Sequence, residues 1–243
     1  KIMPTTKHLV IGLGEVGGAI FNLLEGVGYD VVGLDIEEVQ ALRHSKFEII
    51  HACFPFSVNF ISEVGKYSSL YLQEGGLVIV HSTVPVGTTS QIAHAVHSPI
   101  RGVHPNLEKG IITFVKYFGG PRAGEAANYF KDICPVKTDT DSRNTEALKL
   151  WDTTQYGWQI ILEKGIHEFC EKNNLDFDLI YTHANESYNK GYAELGRPEV
   201  IRPVLRHYDG KIGGHCVVQN CAFLEHHIPR TITEINDSLG PGP

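Results

Sequence analysis

The sequence predicts an α/β protein: a Rossmann-type doubly wound parallel sheet followed by a helical domain with one long helix. Three observations predict it. Over residues 1–140, short runs of Val, Ile and Leu alternate with amphipathic stretches. Such continuous runs are strands buried on both faces, and their alternation with helices makes βαβ units. Gly12-Leu13-Gly14-Glu15-Val16-Gly17 directly follows the first run and opens the first amphipathic stretch. From Ser142 to Asn173 there is no proline and a single apolar stripe.

Lys7–Gly12 is the first strand-like run, and Val16–Val27 is helical, with Val16, Ile20, Leu23 and Leu24 on one face. Asp30–Ile36 is the second run, Glu48–Cys53 (within Phe47–Phe56) the third and Leu77–His81 the fourth. Ile100–His104 and Val115–Gly119 are further candidates. The composition changes near Asp139, which divides the chain into 1–140 and 141–243. Thr138–Ser142, rich in capping residues, marks the start of the long helix; its apolar positions are Leu148, Trp151, Trp158, Leu162, Ile166 and Phe169. Asn173, Asn174 and Asp176 end it. A second helical stretch covers Phe177–Leu195, and Pro198 and Pro203 then break the chain into an irregular segment. Gly210–Gly214 is a turn, and a short helix starts at Cys216, supported by Val217, Cys221, Leu224 and Ile228. Gly240–Pro243 is a tail.

Composition excludes several classes. Apolar residues are 42% and charged residues 20%, the balance of a globular protein and not of a disordered, collagenous or coiled-coil chain. The net charge of -7 and the lack of Lys/Arg clusters argue against nucleic acid and membrane surfaces as partners. The apolar runs are strand-sized, and Lys1–His8 is too short and too polar for a signal peptide. The cysteines, at 53, 134, 170, 216 and 221, are odd in number and read as free thiols in a reducing, cytoplasmic compartment.

The glycine motif is a dinucleotide fingerprint in the right context, because Asp35 ends the second strand. Gly12 allows the tight turn, Gly14 lets the backbone approach a pyrophosphate, and Gly17 lets the helix pack closely on the sheet. Leu13, Glu15 and Val16 complete the cofactor loop, whose helix N-terminus presents free N–H groups to phosphates. A carboxylate at Asp35 accepts ribose hydroxyls and repels a 2′-phosphate, which favours NAD over NADP.

Further segments carry a resemblance. Ser82-Thr83-Val84-Pro85-Val86-Gly87-Thr88-Thr89 follows a strand, Glu146-Ala147-Leu148-Lys149-Leu150 opens the long helix, and Gly213-Gly214-His215-Cys216 comes late. In this order, and over residues 7 to 225, the chain resembles the UDP-glucose/GDP-mannose dehydrogenase family, which includes the nucleotide-sugar 6-dehydrogenases. The resemblance implies a Rossmann domain that binds NAD, with Pro55, Ser82 and Thr83 joining the cofactor set, and a long helix that builds a dimer. It implies oxidation of a primary alcohol to a carboxylate in two hydride transfers, with Cys216 capturing the aldehyde as a thiohemiacetal and the resulting thioester being hydrolysed. On that analogy Lys149 steadies negative charge on the substrate oxygen, and Thr83 lies near the nicotinamide and the catalytic water. The family has a third region, a second Rossmann-like domain for the nucleotide part of the substrate, and this chain ends before it. Three positions depart from the family. Thr153 replaces an asparagine, Asn220 an aspartate, and Asn106, in His104-Pro105-Asn106, a glutamate. An amide neither takes nor gives a proton near neutral pH, so acid–base work at the latter two is lost.

Taken by themselves, the residues leave alternatives open. Cys216, after two glycines and at a helix start, suits a nucleophile or an inert thiol. Lys149, Thr153 and Tyr156 share a helix face, as a pocket wall or a solvated one. His215, Cys216, Cys221, His226 and His227 fit no common zinc spacing, so no metal is expected. Tyr188, Asn189, Lys190 and Tyr192, with Arg202, Arg206 and Lys211, form a basic, hydrogen-bonding set for an anionic substrate, or a solvated face; Arg202 suits a bidentate grip. Trp151, Trp158, Leu162, Ile166 and Phe169 read as a buried stripe, covered by a second copy in a homodimer through 142–173. The leading reading is thus an NAD-dependent oxidoreductase acting on the alcohol of a small or anionic molecule. The alternative is a non-catalytic NAD(H)-binding sensor or partner subunit; a third is a redox thiol pair of Cys216 and Cys221.

Overall fold

The computed structural model describes residues 6–35, 42, 45–102, 105–214 and 216–240. The expected roles of Ile36 in a strand, His104 in a strand and a motif, and His215 in the glycine turn lie outside these, as does the tail from Pro241. The chain divides into two compact units, Lys1–Lys149 and Leu150–Pro243.

The first unit is a Rossmann-type sheet. Its strands are β1 (Lys7–Ile11), β2 (Asp30–Leu34), β3 (Phe47–Ala52), β4 (Leu72–Val80), β5 (Ala95–His97), β6 (Lys116–Gly119) and β7 (Val136–Asp139). They lie in the order β2-β1-β3-β4-β5-β6-β7, parallel except between β5 and β6. The helices are α1 (Glu15–Gly26), α2 (Phe60–Tyr71), α3 (Leu107–Thr113) and α4 (Ala123–Asn128). One face of the sheet packs Val10, Ile20, Leu24, Ile79, Phe118 and Phe130. The other packs Leu9, Ile11, Ile50, Phe60, Val64 and Val80. Burial on both faces is why β1, β3 and β4 read as unbroken apolar runs.

Two strands differ from expectation. Residues 100–102 form no strand; β5 lies earlier, at Ala95–His97. The ladder stops because Ser98 still donates to Val80 while Pro99, next along, has no N–H to give. β7 carries Lys137, Thr138 and Asp139 at the sheet edge and so has no apolar signature. Thr138 and Asp139 therefore end a strand, and only Ser142 begins the helix.

α1 meets β1 through glycine. A Cβ on Gly17 would stand 1.8 Å from the Gly12 carbonyl oxygen. Only hydrogen at position 17 permits that approach.

A polar seam crosses the first face. His8 Nδ1 lies 2.9 Å from His51 Nε2, and His51 Nδ1 3.0 Å from His81 Nε2. His81 Nδ1 reaches the Ser98 carbonyl at 2.9 Å. All three rings are buried, as are His97 and Lys116. Burial pushes His8 down to about 4 and His97 to about 3, and holds His51 and His81 well below the usual imidazole range. It pushes Lys116 down to about 7.

The second unit is helical: α5 (Ser142–Asn173, which begins in the first unit), α6 (Ala184–Glu194), α7 (Cys216–Cys221) and α8 (His227–Ser238). Its core holds Ile161, Ile212, Val217, Cys221 and Ile232. The expected helix Phe177–Leu195 is a wider π-type turn over Asp178–His183 that runs into α6. The helix at Cys216 is shorter than expected: Leu224 lies beyond its end and Ile228 belongs to α8. Pro229 sits in the first turn of α8, where no helical hydrogen bond is lost. The stripe expected to be buried is open within the single chain, with Trp158 40%, Leu162 51% and Phe169 57% exposed. α5 instead buries Leu150, Thr154, Ile161 and Cys170, and Gly157 lets Val217 of α7 come close.

This packing can be tested in two ways. The four depressed histidines refuse protons that the unfolded chain accepts below about pH 6.5. The histidine contribution to stability is therefore complete above that pH and is lost as pH falls toward the folded-state values, each histidine adding up to about 1.4 kcal/mol per pH unit. Urea unfolding should show a loss of at least about 3 kcal/mol between about pH 7.5 and pH 5; equal stability at both would contradict neutral burial. Gly17→Ala should cost about 3 kcal/mol by forcing α1 off β1. Gly14→Ala, whose Cβ meets nothing within 4 Å, should stay within about 1 kcal/mol in the same assay.

Candidate functional site

The loop after β1 is shaped by its three glycines. Gly12 has a φ of +85° and is pressed by Cys53 and Phe54 after β3. Gly14 precedes α1 in extended conformation, without a side-chain cap, so the first-turn N–H groups point outward. Leu13 lies over Gly33 of β2, Glu15 is exposed, and Val16 packs on the core. Asp35 is exposed directly after β2, and Pro55 is exposed after β3. Ser82 is buried after β4, donating its hydroxyl to the Phe54 carbonyl at 2.6 Å, with Thr83 half-buried beside it. β2, β1, β3 and β4 are neighbours. The whole expected cofactor set therefore gathers at the carboxyl ends of adjacent parallel strands, where such sheets bind ligands.

A cavity of about 680 Å³ opens beside this loop, between α1 and α3. Gly14, Glu15, Asn22, Asn106 and Lys109 line it. Asn106, expected to bind substrate, is thus placed with the glycine loop. Asn22 donates to Glu108 at 2.7 Å and clasps the two helices.

The motif segments 82–89 and 146–150 prove to be one device. The buried Glu146 carboxylate accepts from Gly87 N–H at 2.6 Å and Thr89 N–H at 2.8 Å. Burial pushes its pKa up, and these two N–H bonds oppose the shift. Along the same helix, Lys149 donates to the Ile100 carbonyl at 2.8 Å. His97 lies within hydrogen-bond distance of both the Ser82 carbonyl (3.2 Å) and the Thr145 hydroxyl (2.9 Å). Sequence reasoning missed Glu146 and His97 as positioning groups. Glu146 stood in a quoted motif, whereas His97 carried no signal at all.

In the second unit, the two departing positions are bonded to each other. Asn220 donates to the Thr153 hydroxyl at 3.0 Å, and Thr153 donates to the Leu150 carbonyl. Cys216 is exposed and begins a helix of six residues. Cys221 is buried with its thiol pKa pushed up, and both cysteines are free. His226 caps α8, its Nδ1 accepting from Ile228 N–H.

Arg202, Tyr188 and Asn189 come together. The Arg202 guanidinium lies 3.6 Å over the Tyr188 ring, and Arg202 and Asn189 exchange two hydrogen bonds through the Arg202 backbone. Arg202 and Tyr188 line a groove of about 890 Å³ with Tyr156, Gln159 and Leu162 of α5. Lys211, expected in this set, is placed elsewhere: its ammonium pairs with Asp237 of α8 at 3.5 Å.

No family model matches the chain. Among curated proteins, the UDP-N-acetyl-D-mannosamine dehydrogenase of Methanocaldococcus jannaschii is 22% identical over 95% of this chain and 65% of its own length. The protein of that name from Methanococcus aeolicus is 24% identical over 89% and 60%. The chain thus spans less than two thirds of the length of these relatives. Among solved structures, UDP-D-ManNAc dehydrogenase from Pyrococcus horikoshii superposes with a TM-score of 0.77 at 18% identity, covering 95% of this chain and 68% of that one. UDP-glucose dehydrogenase from Pyrobaculum islandicum gives 0.72 at 16%, covering 98% and 69%. A Mycobacterium tuberculosis 3-hydroxyisobutyrate dehydrogenase gives 0.69 at 14%, covering 96% and 93%. In sequence and in fold the chain is related to the nucleotide-sugar dehydrogenases, the group that its three motif segments resemble.

Proposed function

We propose that this chain is an NAD-dependent oxidoreductase that oxidises an alcohol on a small or anionic substrate. The observation that carries the reading is the loop Gly12–Gly17: a position 14 with open space beside it, before a helix whose first N–H groups are uncapped. That space is where a pyrophosphate approaches, and the N–H groups with the helix dipole favour its charge. Asp35 accepts the ribose hydroxyls. NAD, when bound, supplies the hydride acceptor.

The chain's own residues then divide the remaining work. Lys149 holds a cation near developing negative charge on the substrate oxygen, and Ser82 and Thr83 border the cofactor. Cys216, exposed, is the candidate nucleophile for an aldehyde. The bonded pair Asn220 and Thr153 holds no group that takes a proton near neutral pH. The residues therefore support the alcohol-to-aldehyde stage more strongly than hydrolysis of a thioester on Cys216. Arg202, braced on Tyr188 and Asn189, is a pre-set cation for an anionic substrate group. The open stripe Trp158, Leu162 and Phe169 of α5 suits a second copy of the chain, as a homodimer.

Calorimetric titration with NAD, NADH and NADP tests the reading. Selective binding of NAD or NADH is expected, and Gly14→Ala should weaken it at least roughly tenfold, about 1.4 kcal/mol, while leaving folding intact. Failure of both NAD and NADH to bind would overturn it. Binding without turnover of any alcohol or aldehyde would favour a non-catalytic NAD(H)-binding role. Where turnover is found, Cys216→Ser should abolish only a thioester-dependent second oxidation.

A further inference from the structure

The seam of histidines is oriented. A carbonyl oxygen only accepts, so with Lys116 as a neutral amine His81 Nδ1, 2.9 Å from the Ser98 carbonyl, carries hydrogen. Its Nε2 is then a lone pair, and His51 Nδ1 at 3.0 Å must donate to it. By the same step His51 Nε2 accepts from His8 Nδ1 at 2.9 Å. The chain ends at His8 Nε2, a buried lone pair with no hydrogen-bond partner among the described residues. Tyr29 and Tyr129, both half-buried, cover that end, their ring centroids 4.6 Å and 5.2 Å from His8. At the other end Lys116 Nζ lies 3.3 Å from His81 Nδ1 and 3.2 Å from the Ser98 carbonyl.

We propose that His8, His51, His81 and Lys116 form a buried proton relay, in which a proton taken up at His8 Nε2 is delivered to Lys116 Nζ. The transfers balance. A proton binds His8 Nε2, His8 passes its Nδ1 proton to His51 Nε2, His51 passes its own to His81 Nε2, and His81 passes its own to Lys116. Three neutral imidazoles remain, each now protonated at Nε2, together with one ammonium. That ammonium donates to the freed His81 Nδ1 and to the Ser98 carbonyl. No imidazolium persists, which suits rings that burial keeps neutral.

The surroundings favour this traffic. The thiols of Cys53 and Cys134 act on Lys116, the Phe118 and Phe130 rings lie 5.5 Å and 5.3 Å from its Nζ, and Arg101 lines the same small cavity. His97 acts on His81, and Asp132 lies near Tyr29. With burial lowering Lys116 to about 7, its amine exchanges a proton near neutral pH. The charge it gains tightens its hold on Ser98, two residues before the Ile100 carbonyl that Lys149 holds.

Nitrogen–proton correlation NMR of the ¹⁵N-labelled full chain reads each ring's tautomer directly. As pH is lowered from about 8.5 to about 5.5, the Nδ1 resonances of His8, His51 and His81 should move together from the protonated to the bare position. The three rings should remain neutral throughout. Rings that keep Nδ1–H over the whole range, or that become imidazolium one at a time, would overturn the relay. Lys116→Met should freeze all three in the Nδ1–H form, and a persisting inversion without the amine would also overturn it. The wild-type titration decides the matter whether or not that variant folds, and it does so independently of NAD binding.

Discussion

The contact between Gly17 and the Gly12 carbonyl sets the position of everything at the carboxyl end of the sheet. A methyl group there would stand 1.8 Å from the oxygen, so α1 reaches β1 only because position 17 has no side chain. The approach points the first-turn N–H groups of α1 beyond the strand ends. It also leaves Gly12 no room, since Cys53 and Phe54 press on it from β3, and it lays Leu13 across Gly33 of β2. β1 lies between β2 and β3, so the order of strands turns back at it. The crevice therefore opens where the strand order reverses.

Around this apolar frame the first unit pairs its buried Glu146 and His97 with fixed partners. The buried Glu146 carboxylate is held by two backbone N–H groups that give the 87–89 turn its shape. That is the physical reason the two motif segments occur together: one carries the orphan donors and the other carries their acceptor. His97 spans the same region, between Ser82 and Thr145. Loss of any of these leaves a buried polar group unpaired, which costs more than the bond itself contributes.

The second unit is held together differently. α5 has apolar residues on two faces: one meets α7 and α8, and the other leaves Trp158, Leu162 and Phe169 open among the described residues. Asn220 and Thr153 satisfy each other where the resembled family has an acid and an amide, so this neighbourhood is kept polar and ordered without a proton-transfer group. Arg202 is stacked on Tyr188 and pinned through its backbone by Asn189.

The parallel sheet, the glycine turn, Asp35 at a strand end and the length of α5 were all legible in the chain itself. Burial on both faces and helical periodicity write themselves into local residue order. β7 was not legible, because an edge strand of polar residues carries no apolar run; α8 was not, because its first apolar residue, Ile228, also continues the spacing of Val217, Cys221 and Leu224. The placing of Lys211 with Asp237, away from Arg202, depended on where α8 returns. The histidine seam lay furthest from view. His8, His51 and His81 are 43 and 30 residues apart, and they meet only because β1, β3 and β4 are adjacent in a register that steps diagonally across one face. Periodicity is a property of neighbours along the chain, and so the sequence by itself determined the elements and the dinucleotide turn. Pairing across strands is a property of register and sheet order, and so only the tertiary structure decided which buried polar groups share a proton.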